Sequence, residues 1–305
     1  MGSKLKRLLK TLLKFAVTAA ALYFVIRKIE LKEVLALYSQ SNLVYITLAL
    51  IFFALSKLVS AYRLNIYFRT IDIHLKEKTN IELYLLGMFY NLFLPGGIGG
   101  DGYKVYLLQK KYQTGTKKII GAVLSDRISG MVALVVLALL GVAFLNSEVT
   151  GRWSPVLRAQ SEGSLVGGQG LLLSAAVIAI ALVFLGYYLF TKIVYPYFLK
   201  INIVTFTYGF IVQLLQVACA WFLLLALGEH ENHLSYLVIF LVSSAVAVLP
   251  VSIGGMGVRE LTFLYGSQIL NVDMNVAVGI SFLFYLITAT VSLAGVWYIF
   301  RPVKL

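Results

Sequence analysis

Six apolar runs in this chain are long enough, or nearly so, to cross a membrane as helices. Crossing roughly 30 Å of hydrocarbon takes about 20 residues at a rise of 1.5 Å per residue. The runs lie at residues 13–29, 43–68, 119–145, 171–193, 203–228 and 274–300. They are too apolar for the alternating strands of a membrane barrel, which leaves helices as the only spanning structure. We therefore expect an all-α, polytopic integral membrane protein.

Composition and charge agree with a membrane protein and argue against nucleic-acid binding. With 60% hydrophobic and only 13% charged residues, a water-soluble fold would have too little polar surface to cover itself. The net charge is +13, but five of the basic residues flank the start of the first apolar run, which is typical of a cytoplasmic N-terminus. No cleavage site with small residues follows that run, so we expect an uncleaved signal anchor.

A glycine-rich motif occurs twice, 155 residues apart. The copies, residues 94–104 and 249–259, both fit the pattern Leu-Pro-x-x-Ile-Gly-Gly-x-Gly-x-(Lys/Arg) and share six of eleven residues. Two glycine pairs occupy matching positions in them: Gly99, Gly100, Gly254 and Gly255. Isolated glycines often serve close helix packing. A cluster that follows a proline, occurs twice and adjoins a cation instead favours a broken helix at a functional site.

Each copy of the motif follows an apolar run that is too short to cross the membrane. Residues 81–94 and 235–249 would be about 21 to 23 Å long as helices. Proline disfavours helix at the residue before it and glycine has no helical preference, so the chain can turn within the membrane. The segments 103–112 and 258–269 would then return to the side of entry. The sequence predicts about six full spans plus two re-entrant helical hairpins.

The basic residues agree with this topology. With both hairpins re-entrant, 18 of the 26 Lys and Arg residues fall on the cytoplasmic side, as the positive-inside rule expects, and both termini are cytoplasmic. The hairpins enter from opposite sides, so residues 43–145 and 203–300 form an inverted repeat within a single membrane domain. Residues 1–42 supply a signal anchor and linker, and 146–202 a linker loop and an extra span. Transporters with inverted repeats bind substrate near the midplane, between broken helices.

Ionisable residues at membrane depth are candidates for function, since each costs about 2.5 to 3.5 kcal/mol on insertion scales. Cations beside glycine turns suit an anionic head group through charge-assisted hydrogen bonds. We expect substrate binding by four basic residues and the motif glycines, namely Arg127, Arg259, Lys104 and Arg63 with Gly99, Gly100, Gly254 and Gly255. Three acids are candidates for ion coupling or structural pairing, for example Asp126 with Lys104 or Glu260 with Arg127: they are Asp101, Asp126 and Glu260. Lys57 is a further candidate.

Other chemistry has weaker support in the sequence. The pair His230 and His233 lies in a loop and does not fit the H-E-x-x-H zinc motif, so we expect no metal and no cofactor. No His or Cys accompanies a serine in a pattern typical of a nucleophile. We therefore expect a protein that is not an enzyme. Head-group transfer by an acid–base pair from Asp101, Asp126 or Glu260 stays an alternative.

Three segments together resemble the lysylphosphatidylglycerol synthetase transmembrane region family, also called flippase-like. They are Pro95–Asp101, Val123–Gly130 and the second motif through Glu260. The resemblance extends over about residues 10 to 300. The sequence departs from the family at Lys104, where arginine is frequent, and at Val251–Ser252, where more glycine is usual.

The resemblance implies lipid transport. The family includes the flippase half of bacterial multiple peptide resistance factors, which moves aminoacylated phosphatidylglycerol and precedes a soluble aminoacyl-transferase domain. The 305 residues of this sequence include no such domain. We therefore expect a stand-alone flippase for a phosphate-bearing or aminoacylated lipid in the bacterial cytoplasmic (inner) membrane. The alternatives are a membrane-embedded lipid-modifying enzyme and a non-transporting partner of a lipid synthase. The expected partner is a membrane lipid and not nucleic acid, with a homo-oligomer or a lipid-synthesis enzyme as further candidates.

Overall fold

The computed structural model describes residues 38–39, 41–93, 98–145, 167–248, 257–301, 303 and 305. All regular structure in this part of the chain is helical, as predicted. In chain order the helices are α1 (Leu43–Thr70), α2 (Glu77–Phe93), α3 (Gly99–Tyr112), α4 (Thr116–Ala143), α5 (Gly167–Val194), α6 (Asn202–Ala226), α7 (His233–Ala247), α8 (Val258–Leu270), α9 (Met274–Leu293) and α10 (Trp297–Phe300). Short 3-10 turns at Pro196–Ile201 and Ala294–Val296 lead into α6 and α10.

Five helical segments of the described chain are long and apolar enough to cross a membrane. They are Leu43–Thr70, Thr116–Ala143, Leu172–Val194, Pro196–Ala226 and Met274–Phe300. These segments coincide with five of the predicted spans, and the other predicted span, 13–29, lies outside the described residues. On α5 large apolar side chains face outward, for example Val177, which is 65% exposed. The multi-pass, all-helical membrane fold is therefore confirmed.

Four shorter helices form two packed pairs, α2 with α3 and α7 with α8. They have 17, 14, 15 and 13 residues, so each is only about 20 to 26 Å long. The glycine motifs link the helices of each pair. Residues 94–97 and 249–256 of these links, including Gly254 and Gly255, lie outside the described residues. The side from which each hairpin enters the membrane stays a prediction.

The first motif contributes more helix than the sequence predicted. We expected the return segment to begin at residue 103, but α3 begins at Gly99, which puts Gly99, Gly100 and Gly102 in its first turn. The side-chain oxygen of Asn91 on α2 accepts a hydrogen bond of 2.8 Å from the Gly100 backbone N–H. This bond satisfies one of the N–H groups that a helix start leaves without a partner. The helix can therefore restart within the glycine cluster.

Packing follows one pattern in the two halves of the predicted repeat. The first helices of the two halves, α1 and α6, pack against each other. The last helix of the first half, α4, packs on the hairpin helix α7 of the second half, and the last helix of the second half, α9, packs on the hairpin helix α2 of the first. The largest buried cluster joins both halves through side chains such as Phe53, Leu223, Phe240 and Phe284. The pattern is compatible with the inverted repeat, which stays a prediction.

Candidate functional site

A polar cavity of about 280 Å³ lies among α1, α2, α4, α6, α7 and α8. Basic side chains line it together with hydroxyl and amide groups: Lys57, Arg63, Arg127, Arg259, Ser60, Tyr84, Gln213, Gln216 and Ser244. None of the lining residues in the described part of the chain is acidic. The structure thus brings Arg63, Arg127 and Arg259, three of the predicted binding residues, to one cavity.

Arg63 is held where three helices meet. It is only 5% exposed, and its Nε donates a hydrogen bond of 2.7 Å to Oδ1 of Asp126 on α4. Two glycines make room for the guanidinium, because a Cβ at Gly130 or Gly209 would lie 2.9 or 3.1 Å from Nη1. Among the described residues Nη1 has no hydrogen-bond partner. A buried donor without a hydrogen-bond partner lowers the stability of the folded protein. This donor is available to a ligand in the cavity.

Lys57 and Arg259 lie on two aromatic rings that contact each other. The Lys57 Nζ is 4.4 Å from the centroid of the Phe53 ring, and the Arg259 guanidinium carbon is 4.7 Å from that of Phe284. These rings meet edge to face with centroids 5.3 Å apart. Within the described chain no carboxylate lies at salt-bridge distance from either cation. Two like charges facing one small cavity favour a bound anion.

Asp101 connects the first hairpin to α4. Its Oδ1 accepts a hydrogen bond of 3.1 Å from Lys104 Nζ, and its Oδ2 accepts one from Arg127 Nε. Lys104 is buried, and its Nζ lies 4.6 Å from the centroid of the Tyr84 ring. It is not among the described residues that line the cavity. The contacts of Lys104 therefore hold the hairpin together, whereas Arg127 both holds the hairpin and lines the cavity.

Glu260 holds a helix end. One carboxylate oxygen accepts a hydrogen bond from the Gly257 backbone N–H, and the other accepts one of 2.9 Å from the Ser281 hydroxyl. The first bond caps the start of α8, and the second connects α8 to α9. The burial of this carboxylate, which is 1% exposed, thus follows from local hydrogen bonding.

The acids do not form the pairs that we considered from the sequence. Asp126 pairs with Arg63 and not with Lys104, and Glu260 binds backbone and hydroxyl groups and not Arg127. The reason is the crossing of α1 and α4, which brings residues 63 positions apart to one point. Spacing along the chain gives no information on such a contact.

Gly100 allows the two helices of the first hairpin to touch. A Cβ at this position would lie 1.9 Å from the backbone oxygen of Gly87, so α2 and α3 pack backbone to backbone. A Cβ at Gly102, two residues further, would meet nothing within 4 Å. The predicted binding residue Gly100 therefore lies in a helix-packing contact, and it is not among the described cavity-lining residues.

We expect Gly100→Ala to lower the free energy of unfolding by about 1 to 3 kcal/mol, because the helices must separate to admit the methyl group. Gly102→Ala is the matched control on the same helix. We expect it to be neutral or to stabilise by up to about 1 kcal/mol, since alanine favours helix. Unfolding in detergent, followed by circular dichroism, measures both changes. Equal stability of the two variants would contradict the backbone contact.

Sequence reasoning missed several residues around the cavity. They are the polar residues Ser60, Tyr84, Gln213, Gln216 and Ser244 and the glycines Gly130 and Gly209. The two glutamines lie three positions apart in an apolar span, hence on one helix face, and this polarity could have identified them. The glycines carry no such indication, because glycine is common in membrane helices.

His230 lies in the loop before α7, and His233 is the first residue of that helix. Among the residues that the structure describes, no group of three or more His, Cys, Asp or Glu side chains is placed to hold a metal ion. The ring of His233 is engaged by the protein on both sides. Its Nδ1 accepts a hydrogen bond of 3.1 Å from Trp221 Nε1, and its Nε2 donates one of 3.0 Å to the Glu229 backbone oxygen.

The chain is similar to a protein family and to an individual membrane protein. The family model of the lysylphosphatidylglycerol synthase TM region matches residues 11–295. A UPF0104 membrane protein of Pyrococcus horikoshii is 25% identical over 296 residues, which covers 85% of this chain and 87% of the relative. The region matched by the family model includes every residue that lines the cavity.

Proposed function

Because the chain belongs to the lysylphosphatidylglycerol synthase transmembrane region family, as its motifs indicated, we propose that it is a lipid flippase. The head group of a polar lipid binds in the basic cavity, and the acyl chains stay in apolar surroundings. The observation that carries this proposal is the cavity itself. Four cations face it from α1, α4 and α8, and one of them, Arg63, keeps a buried donor without a partner in the described structure.

An apolar groove supports a lipid ligand in preference to a soluble anion. It has a volume of about 700 Å³ and lies among α4, α7 and α8, lined by Val142, Val238, Ile239, Val242, Thr262, Gly266, Gln268, Ile269 and Leu270. Leu134, which lines the cavity, and Val142, which lines the groove, are both on α4. They are eight residues apart, about 12 Å along the helix axis. An acyl chain in the groove would leave its head group at the cavity.

The contacts of the three acids favour structural roles over ion coupling. Asp101 and Asp126 accept hydrogen bonds from buried cations, and Glu260 caps α8. Protonation of any of them would release a cation or a helix end. The same contacts disfavour the alternative of head-group transfer, since a general acid or base must reach the proton that it moves.

The test is lipid movement in liposomes, measured by the dithionite quenching of a fluorescent phospholipid. We expect vesicles with the protein to expose inner-leaflet lipid faster than vesicles without it. Val242→Trp fills the groove and should slow this movement about tenfold, a barrier increase of about 1.4 kcal/mol. Val177→Trp, on the outward face of α5, is the matched control and should change little. If the wild type gives no acceleration, the flippase proposal is wrong; a fully active Val242→Trp variant excludes the groove.

A further inference from the structure

The charges around the cavity do not balance. Among the residues that the structure describes, five cations and three carboxylates lie in and beside it: Lys57, Arg63, Lys104, Arg127 and Arg259, and Asp101, Asp126 and Glu260. If all are ionised, the group carries a surplus of two positive charges. An uncompensated charge in a low-dielectric interior is costly. The surplus is therefore evidence about the charge of the ligand that the cavity accepts.

We infer that the cavity selects a lipid whose phosphate head group carries two negative charges and no amine. This inference rests on the proposed lipid-binding function and adds the substrate class. A phosphomonoester dianion neutralises the surplus, whereas a phosphodiester leaves one charge uncompensated. An aminoacylated head group adds positive charge and increases the imbalance.

The donors at the cavity suit a terminal phosphate. Lys57 and Arg259, held on neighbouring aromatic rings, supply the two cations without a carboxylate at salt-bridge distance in the described chain. Arg63 supplies the Nη1 donor, and the Ser244 hydroxyl on the facing helix is a second buried polar group without a partner among the described residues. A terminal phosphate presents three oxygens to these groups, and hydrogen bonds between ionised partners are about twice as strong as neutral ones.

Among the described residues, the cavity offers no carboxylate to an ammonium group. None of the lining residues that the structure describes is a carboxylate, and the two nearby aspartates already accept hydrogen bonds from Arg63, Lys104 and Arg127. An ammonium group here would face four cations and gain no counter-charge. Like charges brought together in this way disfavour binding.

The experiment compares three fluorescent lipids in the liposome assay: phosphatidic acid, phosphatidylglycerol and lysylphosphatidylglycerol. At pH 7, above a second phosphate pKa of about 6, most of the phosphatidic acid carries two negative charges. We expect phosphatidic acid to move fastest and to exceed the lysyl lipid about tenfold or more. Binding of the same lipids in detergent, measured as a rise in Tm, tests the selectivity independently of transport. Lys57→Gln removes one surplus charge and should shift the preference toward phosphatidylglycerol.

The outcomes separate the charge inference from the flippase proposal. Faster movement or tighter binding of the lysyl lipid overturns the inference and leaves the flippase intact. If no lipid moves but phosphatidic acid raises the Tm most, the inference holds and the flippase proposal fails. Inorganic phosphate distinguishes a lipid head group from free phosphate: we expect it to compete weakly. If inorganic phosphate competed as strongly as phosphatidic acid, the ligand would be free phosphate and not a lipid.

Discussion

Arg259→Gln should reduce lipid transport about 10- to 100-fold while the protein stays folded. The guanidinium lines the cavity and stacks on Phe284, and it forms no ion pair within the described chain. Replacing Arg259 therefore does not take a salt-bridge partner away from any buried acid in the described chain. It removes one charge-assisted contact to the head group, which is typically about 1.5 to 3 kcal/mol. Arg259→Lys should recover part of the activity, because lysine keeps the charge but lacks the planar fork.

Arg301→Gln is the matched control for this variant. Arg301 also stacks on an aromatic ring, with its guanidinium carbon 4.6 Å from the centroid of Trp297, but it follows the last described helix and does not line the cavity. Transport rates in liposomes and Tm values in detergent are measured for both variants. Equal losses of transport in the two, or none in Arg259→Gln, would show that Arg259 does not bind the lipid.

The second large effect concerns stability. Arg63→Met leaves the buried Asp126 carboxylate without its partner and should destabilise the protein by about 3 to 5 kcal/mol. Adding Asp126→Asn removes the orphaned charge and should recover most of that loss. Transport should not recover, because the double variant still lacks the Arg63 donor at the cavity. Chemical unfolding in detergent and the liposome assay measure the two properties separately.

An exposed ion pair provides the control. Arg69 and Glu77 pair at the α1–α2 junction with side chains 52% and 36% exposed. Arg69→Met should cost less than about 1 kcal/mol, as exposed pairs usually do. If the two methionine variants were equally stable, burial would not determine the strength of the Arg63–Asp126 pair.

The spans were predictable from sequence because length and hydropathy are local properties. The run predicted at 43–68 is α1, Leu43–Thr70, and the run at 274–300 is the segment Met274–Phe300. Charged residues in such runs are equally visible, which is why Arg63 and Arg127 were among the candidates. Lys104 was visible as the cation that ends the first glycine motif, but its charge is used within the hairpin.

Contacts between helices could not be predicted. Asp126 pairs with Arg63, which lies on another helix. The role of Gly100 depends on the position of Gly87 on the facing helix of the hairpin. Both results come from the way helices cross, which a single sequence does not specify. Gly130 shows the same limit, because it appears as an ordinary membrane-helix glycine until the Arg63 guanidinium lies against it.

The contact between Gly87 and Gly100 restricts how the first hairpin can move. At this contact no side chain separates the two backbones, so no rotamer change there could absorb sliding. The two helices would therefore shift together as one rigid body. The Asp101–Arg127 ion pair attaches this body to α4. The phosphate of the proposed ligand, on approaching Arg127, would compete with Asp101 for the same guanidinium. Arrival of the ligand would thus weaken the attachment of the hairpin, which couples occupancy of the cavity to release of the rigid body beside it.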